Sequence, residues 1–203
     1  MNEKFYSLPQ EKQDRILNAG FRVFSKNSYK KSPMLEIANE ADISKSLLFF
    51  YYKNKKELYL FLIKKAEELT MNYLVSSGCF NESDIFEMMY KGLYAKAQMM
   101  KAYPDMSNFA MKAYYEDDEE IRAGIQEIIK PYTKLKTNKN IPKLDPKDFK
   151  EGLDLEMMYQ DMYLASEGYV YRMQQEGNLD VDKMLTDYRR IIDFWKKLYK
   201  REY

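Results

Sequence analysis

The side chains best suited to a chemical task in this sequence are the lysines and five aromatics of residues 44–59, SKSLLFFYYKNKKELY. Lysine ammonium groups bind phosphate, and apolar groups contact the methyl group of thymine. A membrane-surface helix, a strand, a core segment and a phosphate-binding surface would all be compatible with this composition. The periodicity of the surrounding chain must decide between them.

Catalysis by histidine is excluded, because the chain contains none. Ser-His-Asp triads, Cys-His pairs and histidine-ligated zinc are therefore excluded as well. The seven glycines are scattered singly and form no nucleotide-binding loop, and the single Cys79 cannot form an internal disulfide. The acidic run at 117–120 is expected to complement a helix dipole, not to bind metal. We predict a protein that is not an enzyme and has no cofactor and no metal site.

Length and charge bound the organisation of the chain. Its 203 residues suffice for one large or two small domains, and no apolar stretch reaches the roughly 18 residues of a membrane span. Residues 1–56 hold 11 Lys and Arg against 6 Asp and Glu, whereas the whole chain is nearly neutral at +1. We therefore predict a cytoplasmic protein, without a membrane partner, in which a basic N-terminal module precedes a mildly acidic body.

Apolar residues recur with a helical period almost throughout the chain. The pattern predicts a first helix from Pro9 to about 27, a short helix over 33–40 after an N-cap at Ser32, and a second short helix over 45–51. Ser44 is the expected N-cap of that second helix. The turn between the short helices contains Asp42, a residue type that tolerates positive φ. Two short helices joined by a three-residue turn form a helix-turn-helix.

Residues 9 to about 62 resemble the tetracycline-repressor (TetR) family of transcription regulators. The segments RILNAGFRVFSKNSY and SPMLEIANEADISKSLLFFYYKNKKEL follow the family pattern without a gap. The positions that carry the resemblance are Ala19, Phe24, Tyr29, Ile37, Ala38, Ile43, Ser44, Lys45, Tyr51, residues 53–55, Glu57 and Leu58. Residues 63–203 resemble the family only in their length and helical character.

The resemblance implies an all-α fold with two functional domains. Residues 1–54 would form a three-helix DNA-binding domain with a helix-turn-helix, and residues 55–203 a larger helical domain for ligand binding and dimerisation. The implied function is that of a repressor that binds a palindromic double-stranded DNA operator as a homodimer and is released by a small apolar or aromatic effector. The alternative is a helical small-molecule binding or interaction protein whose helix-turn-helix is only structural.

The DNA contacts are assigned on the same basis. Where the family commonly has a tyrosine whose hydroxyl binds a DNA phosphate, this chain has Phe49. Leu48 and Tyr52 are expected to pack as core, with Phe49 as a further candidate. The predicted DNA-binding residues are Ser32, Ser44, Lys45, Ser46, Leu47, Phe50, Tyr51 and Lys55.

The remaining helices are predicted from Lys55 to about 76, from a cap at Asn81 or Ser83 to 101, from Pro104, from the acidic run past 129, and over about 149–176 and 180–201. Met and Tyr side chains are abundant, and a cavity lined by both would suit a flat or elongated apolar ligand. The predicted ligand-binding residues are Tyr94, Met106, Phe109, Met158, Met162 and Tyr163. The predicted dimer stripes on the last two helices are Leu155, Tyr159, Met162, Ile191, Phe194, Trp195 and Leu198.

Overall fold

The computed structural model describes residues 3–138, 144–175 and 180–201. The regular elements in these ranges are helices, which confirms the predicted all-α class. They are α1 (Glu3–Tyr6), α2 (Gln10–Lys26), α3 (Met34–Glu40), α4 (Lys45–Tyr51), α5 (Lys55–Ser76), α6 (Ile85–Ala102), α7 (Met106–Tyr114), α8 (Arg122–Asn138), α9 (Leu155–Gln175) and α10 (Val181–Tyr199). Short 3₁₀ turns occur at Cys79–Asn81 and Pro146–Asp148. None of the described helices has a stretch apolar and long enough to cross a bilayer.

Packing divides the chain into two compact units. The first comprises Met1–Leu69 with Ala102–Lys134, and the second comprises Thr70–Lys101 with Leu135–Tyr203. The first unit extends beyond residue 54 because α7 packs against α2. The predicted division at residues 54 and 55 concerns function, and it stays a prediction.

The core of the first unit is built on the apolar face of α2. Ile16, Leu17, Phe21 and Phe24 recur at helical spacing and are buried. Gly20 lets α5 approach this helix closely, because a Cβ at Gly20 would lie 2.6 Å from a methyl carbon of Leu62. A larger residue at position 20 would therefore require the Leu62 side chain to move.

An aromatic cluster joins α7 to this core. The ring of Phe109 on α7 lies 5.4 Å from that of Phe21, 6.1 Å from that of Phe24 and 5.2 Å from that of Tyr59. Pairs at these separations stabilise a core by about 0.5–1.5 kcal/mol each beyond the area they bury. The cluster explains why a helix distant in sequence belongs to the first unit.

The core of the second unit comes from α6, α9 and α10. Its buried side chains include Phe86, Met89, Met158, Met162, Tyr188 and Trp195. The helix starts differ from those predicted, because carboxylates provide the caps. Asp84, not Asn81 or Ser83, accepts hydrogen bonds from the amides of Phe86 and Glu87 at 2.8 and 3.3 Å. Asp154 accepts from the amide of Met157 at 3.0 Å, so α9 begins at Leu155 and not near 149. The predicted turn at residues 177 and 178 lies outside the described residues.

Candidate nucleic-acid interface

The helix-turn-helix is formed by α3, a turn over residues 41–43, the N-cap Ser44 and α4. Asp42 in the turn has a φ of 54°, as predicted from its tolerance of the left-handed region. The hydroxyl of Ser44 accepts a hydrogen bond from the amide of Leu47 at 3.1 Å, which confirms Ser44 as the N-cap of α4. A cap of this kind stabilises a helix by about 1 kcal/mol. In a helix of only seven residues this contribution is a large part of what orders the leading turn.

One face of α4 is buried and the other is exposed. Leu48 and Tyr52 are completely buried, as predicted. Tyr51 is also buried, with 7% of its surface exposed, because it lies three residues from Leu48 on the same side of the helix. Most of this ring therefore packs beneath α4, and the predicted contact of Tyr51 with DNA stays a prediction.

The exposed face of α4 collects most of the predicted DNA contacts. Lys45 and Ser46 are exposed, and Leu47 and Phe50 expose 36% and 56% of their surfaces. Phe49, a candidate for the core, instead exposes 37% because it lies on this outer face. The ammonium of Lys45 lies 5.9 Å from the centroid of the Phe49 ring. The outer face of α4 thus carries a cation at its start and two phenyl rings near its end.

Ser32 does not cap α3 as predicted. The residue is completely buried, its hydroxyl donates to the carbonyl of Ser28 at 2.9 Å, and α3 follows Pro33 with no side-chain cap. The hydroxyl of Ser32 is therefore used to order the turn before α3. The predicted DNA contact of Ser32 stays a prediction.

Lys55 is held at the same turn. Its ammonium donates to the carbonyls of Lys30 at 3.1 Å and Ser32 at 3.4 Å, and it lies 4.7 Å from the centroid of the Tyr29 ring. Asn54 orders the adjoining start of α5, because its side-chain oxygen accepts from the amide of Glu57 at 2.8 Å. Lys55 thus fastens the α2–α3 turn to α5, a positioning role that the sequence pattern did not reveal.

The acidic run at 117–120 contacts this turn as well. A carboxylate oxygen of Asp118 lies 3.2 Å from the ammonium of Lys30, and the carboxylate of Glu116 accepts from the amide of Tyr29 at 3.1 Å. The pKa of Asp118 is lowered, first because the Glu120 amide donates a hydrogen bond to it and then because of Lys30, although burial opposes the shift. The acidic run therefore holds the turn between α2 and α3.

The predicted ligand-binding residues are distributed over both units. Met106 and Phe109 are buried in the core of the first unit, so their observed role is packing. Tyr94, Met158, Met162 and Tyr163 lie in the second unit, where both methionines are buried and Tyr94 is exposed. Burial raises the pKa of Tyr163 to about 12.

Buried hydroxyl groups in the second unit were missed by the sequence analysis. The Ser166 hydroxyl lies 2.7 Å from the Tyr188 hydroxyl and donates to the carbonyl of Met162 at 2.6 Å. The Tyr169 hydroxyl donates to the carbonyl of Met184 at 3.1 Å. Each of these residues occupies an apolar helical position, so the sequence offers no signal that distinguishes them from ordinary core.

The predicted dimer stripes separate into two groups. Met162 and Trp195 are buried in the core of their own unit, so their assignment to a dimer contact is wrong for this fold. Phe194 and Leu198 are exposed, whereas Leu155, Tyr159 and Ile191 are partly buried against the core. The predicted stripe therefore mixes core residues with surface residues.

The capped α4 helix with its exposed leading end defines a helix-turn-helix of the type that enters the major groove of DNA. Comparison with known proteins agrees with this class. A profile of the family described as bacterial regulatory proteins, tetR family, matches residues 16–61.

Two relatives of known role are similar in sequence. The biofilm operon icaADBC HTH-type negative transcriptional regulator IcaR of Staphylococcus epidermidis is 25% identical over 123 residues, which are 57% of this chain and 62% of IcaR. The chain thus matches less than two thirds of the length of IcaR. The fatty acid metabolism regulator protein of Bacillus subtilis is 24% identical over 155 residues, which are 73% of this chain and 76% of that protein.

Solved structures share the fold. A TetR family transcriptional regulator from Chloroflexus aurantiacus superposes with a TM-score of 0.64 over 98% of both chains at 22% identity. The regulator FadR from Bacillus subtilis, solved in complex with stearoyl-CoA, gives a TM-score of 0.53 at 19% identity over 88% of this chain and 96% of FadR. Residues 16–61 thus match the TetR family of bacterial regulatory proteins, and the described chain shares the fold of solved regulators of that family.

Proposed function

We propose that the chain is a ligand-responsive transcriptional repressor that binds a two-fold symmetric operator as a homodimer. The observation that carries the proposal is the division of α4 into a buried face and an exposed face. Leu48, Tyr51 and Tyr52 fix the helix to its unit, while Lys45 and Leu47 stand exposed at its capped end. The leading residues of a recognition helix are those that meet base edges.

Each exposed group on α4 has a role that follows from its chemistry. Lys45 donates hydrogen bonds to acceptors on guanine or to a phosphate. The hydroxyls of Ser44 and Ser46 lie 3.0 Å apart and hydrogen-bond each other, so either would contact DNA through its remaining donor or acceptor capacity. Leu47 and Phe50 offer apolar surface to thymine methyl groups. Lys55 acts on DNA through the turn that it holds, and Tyr51 acts as the support of the helix.

A homodimer follows from the size of this interface. One seven-residue helix contacts few base pairs, and two copies on a palindrome double the readout. The surface that would join the copies is an apolar face of α9 and α10. Met157, Leu164 and Tyr171 recur on α9 at intervals of seven residues and are exposed, as are Phe194 and Leu198 on α10. Such a repeat is typical of helix packing in bundles.

The effector is proposed to be an elongated apolar molecule that binds in the second unit. The methionines of its core, including Met158 and Met162, adapt to irregular shapes because their side chains are unbranched and polarizable. Apolar ligand pockets contain a few polar groups that orient the ligand, and the buried Ser166 and Tyr188 hydroxyls are of this kind. The relative from Bacillus subtilis is named for fatty acid metabolism, which agrees with this chemistry.

The direction of control is proposed from the same set of relatives. IcaR is described as a negative regulator, so repression is the proposed effect of DNA binding here. A ligand releases the operator only if it binds more tightly to the conformation in which the two recognition helices are wrongly spaced. The protein would act in the cytoplasm, where bacterial DNA lies, by binding and release without catalysis.

The DNA part of the proposal is tested by binding to an inverted repeat selected from a random duplex pool. Affinity should fall steeply as salt rises, because each neutralised phosphate releases counterions. Lys45→Ala should weaken binding, whereas Lys112→Ala, which removes an exposed lysine from α7, should not. Leu47→Ser should relax the preference at one base pair per half-site by about 1–3 kcal/mol. Absence of any salt-dependent binding by the wild type would reject the proposed function.

The ligand part is tested separately by thermal denaturation and by release of a labelled operator. Stearoyl-CoA or a free long-chain fatty acid should raise the melting temperature and weaken DNA binding by about 1–3 kcal/mol, whereas coenzyme A and glucose should do neither. Met158→Trp should fill the region and abolish the stabilisation while DNA binding persists. A response confined to polar compounds would reject the proposed ligand class and leave the DNA proposal standing.

A further inference from the structure

The N-terminal helix α1 was not foreseen from the sequence, and it is anchored firmly in the first unit. Phe5 is completely buried, and its ring lies 5.8 Å from that of Tyr52 and 5.1 Å from that of Phe61. The side-chain amide of Gln13 donates to the carbonyl of Leu8 at 2.8 Å and ties the following turn to α2. The segment that precedes α2 is thus held against α5 and against Tyr52 at the end of the recognition helix.

This anchoring brings a lysine to the outer face of α4. The ammonium of Lys4 lies 3.8 Å from the centroid of the Phe50 ring, and Phe50 is the most exposed aromatic residue on that helix. Lys45 stands over the neighbouring Phe49 ring at 5.9 Å. The exposed face of α4 is therefore flanked by ammonium groups that come from two different elements.

We propose that α1 is part of the DNA interface, with Lys4 as a phosphate contact beside the base pair that Phe50 reads. The proposal rests on the proposed function and adds to it a contact from outside the helix-turn-helix. In the free protein, Lys4 covers one face of the Phe50 ring through a cation–π contact. Near DNA, a phosphate with a full negative charge attracts the ammonium more strongly than the ring does, and the ring face is released toward a thymine methyl group.

The buried anchor explains why α1 can contribute to affinity. A free N-terminal arm loses conformational entropy when it binds, whereas a segment fixed by Phe5 has already lost that entropy on folding. The position of Lys4 relative to α4 is then set before DNA arrives. The contact of Lys4 with phosphate should therefore increase both the affinity for DNA and its salt dependence, and it should add no preference for a base sequence.

The test is a salt titration of operator binding with Lys4→Ala, Lys4→Arg and Phe50→Ala. Loss of one phosphate contact should flatten the slope of log affinity against log salt by about 0.9 per subunit. Relative to 1 M salt, this amounts to about an eightfold loss of affinity per subunit at 0.1 M salt. Lys4→Arg should restore both. Phe50→Ala should keep the slope and relax the preference at one base pair per half-site, as read by selection from random duplexes.

A matched control separates a DNA contact from loosening of α1. The ammonium of Lys65 lies 4.7 Å from the centroid of the Tyr6 ring in α1 and 3.0 Å from the Glu68 carboxylate. Lys65→Ala therefore weakens the packing of α1 against α5 while Lys4 is retained. Lys65→Ala should leave the salt slope unchanged. If the wild type binds its operator and Lys4→Ala shows the same salt slope and the same footprint, this inference is overturned and the proposed function remains intact. Equal losses in Lys4→Ala and Lys65→Ala would also overturn it.

Discussion

Replacement of Tyr52 by phenylalanine is expected to stabilise the protein. The Tyr52 side chain is completely buried next to the rings of Phe5 and Phe61, and within the described residues its hydroxyl has no hydrogen-bond partner. Burial raises the pKa of this hydroxyl well above its ordinary value of 10.0, so it remains protonated and neutral at physiological pH. A neutral donor is thus buried without compensation.

The magnitude follows from two opposing contributions. A buried donor without a partner costs about 1–3 kcal/mol, and its removal recovers that free energy. The missing oxygen leaves a void smaller than a methyl group, which costs a few tenths of a kcal/mol at about 24 cal/mol per Å³. The free energy of unfolding should therefore rise by about 1–2 kcal/mol in Tyr52→Phe.

Urea denaturation of both proteins measures this change as a higher midpoint with an unchanged m value. Tyr188→Phe is the matched control, because the Tyr188 hydroxyl is equally buried but lies 2.7 Å from that of Ser166. The control should lower the free energy of unfolding by about 1 kcal/mol, since it breaks a buried hydrogen bond. If Tyr52→Phe destabilises the protein as the control does, the Tyr52 hydroxyl has a partner and the reasoning is refuted.

Other perturbations test the electrostatics and the assembly. Asp118→Asn should strengthen operator binding and steepen its salt dependence, because it frees the Lys30 ammonium for phosphate. Hydrogen bonds from Lys196 and, to a lesser extent, Arg189 hold the pKa of Glu87 below its ordinary value of 4.5. These hydrogen bonds therefore stabilise the folded protein fully above pH 4.5, and the stabilisation is lost as the pH falls through the pKa of Glu87 in the folded state. Glu87→Gln should therefore flatten the fall of the urea midpoint below about pH 4.5. Phe194→Glu should turn the dimer into a monomer in sedimentation experiments, because it places a charge on the exposed apolar face that is proposed to join the two copies.

Each of these predictions has a control that neutralises an exposed carboxylate. Glu119→Gln neutralises an exposed carboxylate in the acidic run and should leave DNA affinity nearly unchanged. Asp193→Asn on α10 should preserve both the pH profile and the dimer. Salt dependence that is equal in Asp118→Asn and the wild type would mean that Lys30 does not meet phosphate. A Phe194→Glu protein that remains dimeric would place the interface elsewhere.

The helix-turn-helix could be predicted from the sequence because its determinants are local. The cap at Ser44, the positive φ of Asp42 and the start of α5 at Lys55 depend on residues within one turn of the chain. Burial of Leu48 and Tyr52 follows from spacing in the same way. The same spacing places Tyr51 on the buried side of α4 with Leu48, whereas the family resemblance had assigned Tyr51 to DNA.

Interactions between distant segments decided the rest. Helix α1 is stabilised by the packing of the Phe5 ring against the rings of Tyr52 and Phe61. A helix of four residues is too short to show an apolar period in the sequence. Lys55 resembles a phosphate ligand in the sequence, but the carbonyls of Lys30 and Ser32 lie within hydrogen-bond reach only in the folded chain.

Apolar periodicity shows that a position faces something apolar, but it does not distinguish a core from a partner chain. On α10, Trp195 faces the core of its own unit and its neighbour Phe194 faces solvent. Met162 on α9 is likewise core, whereas Leu164 exposes 69% of its surface. The sequence alone determines that α9 and α10 are amphipathic helices. Which apolar residues remain available to another molecule is decided by tertiary packing, because burial depends on the neighbours that the fold supplies.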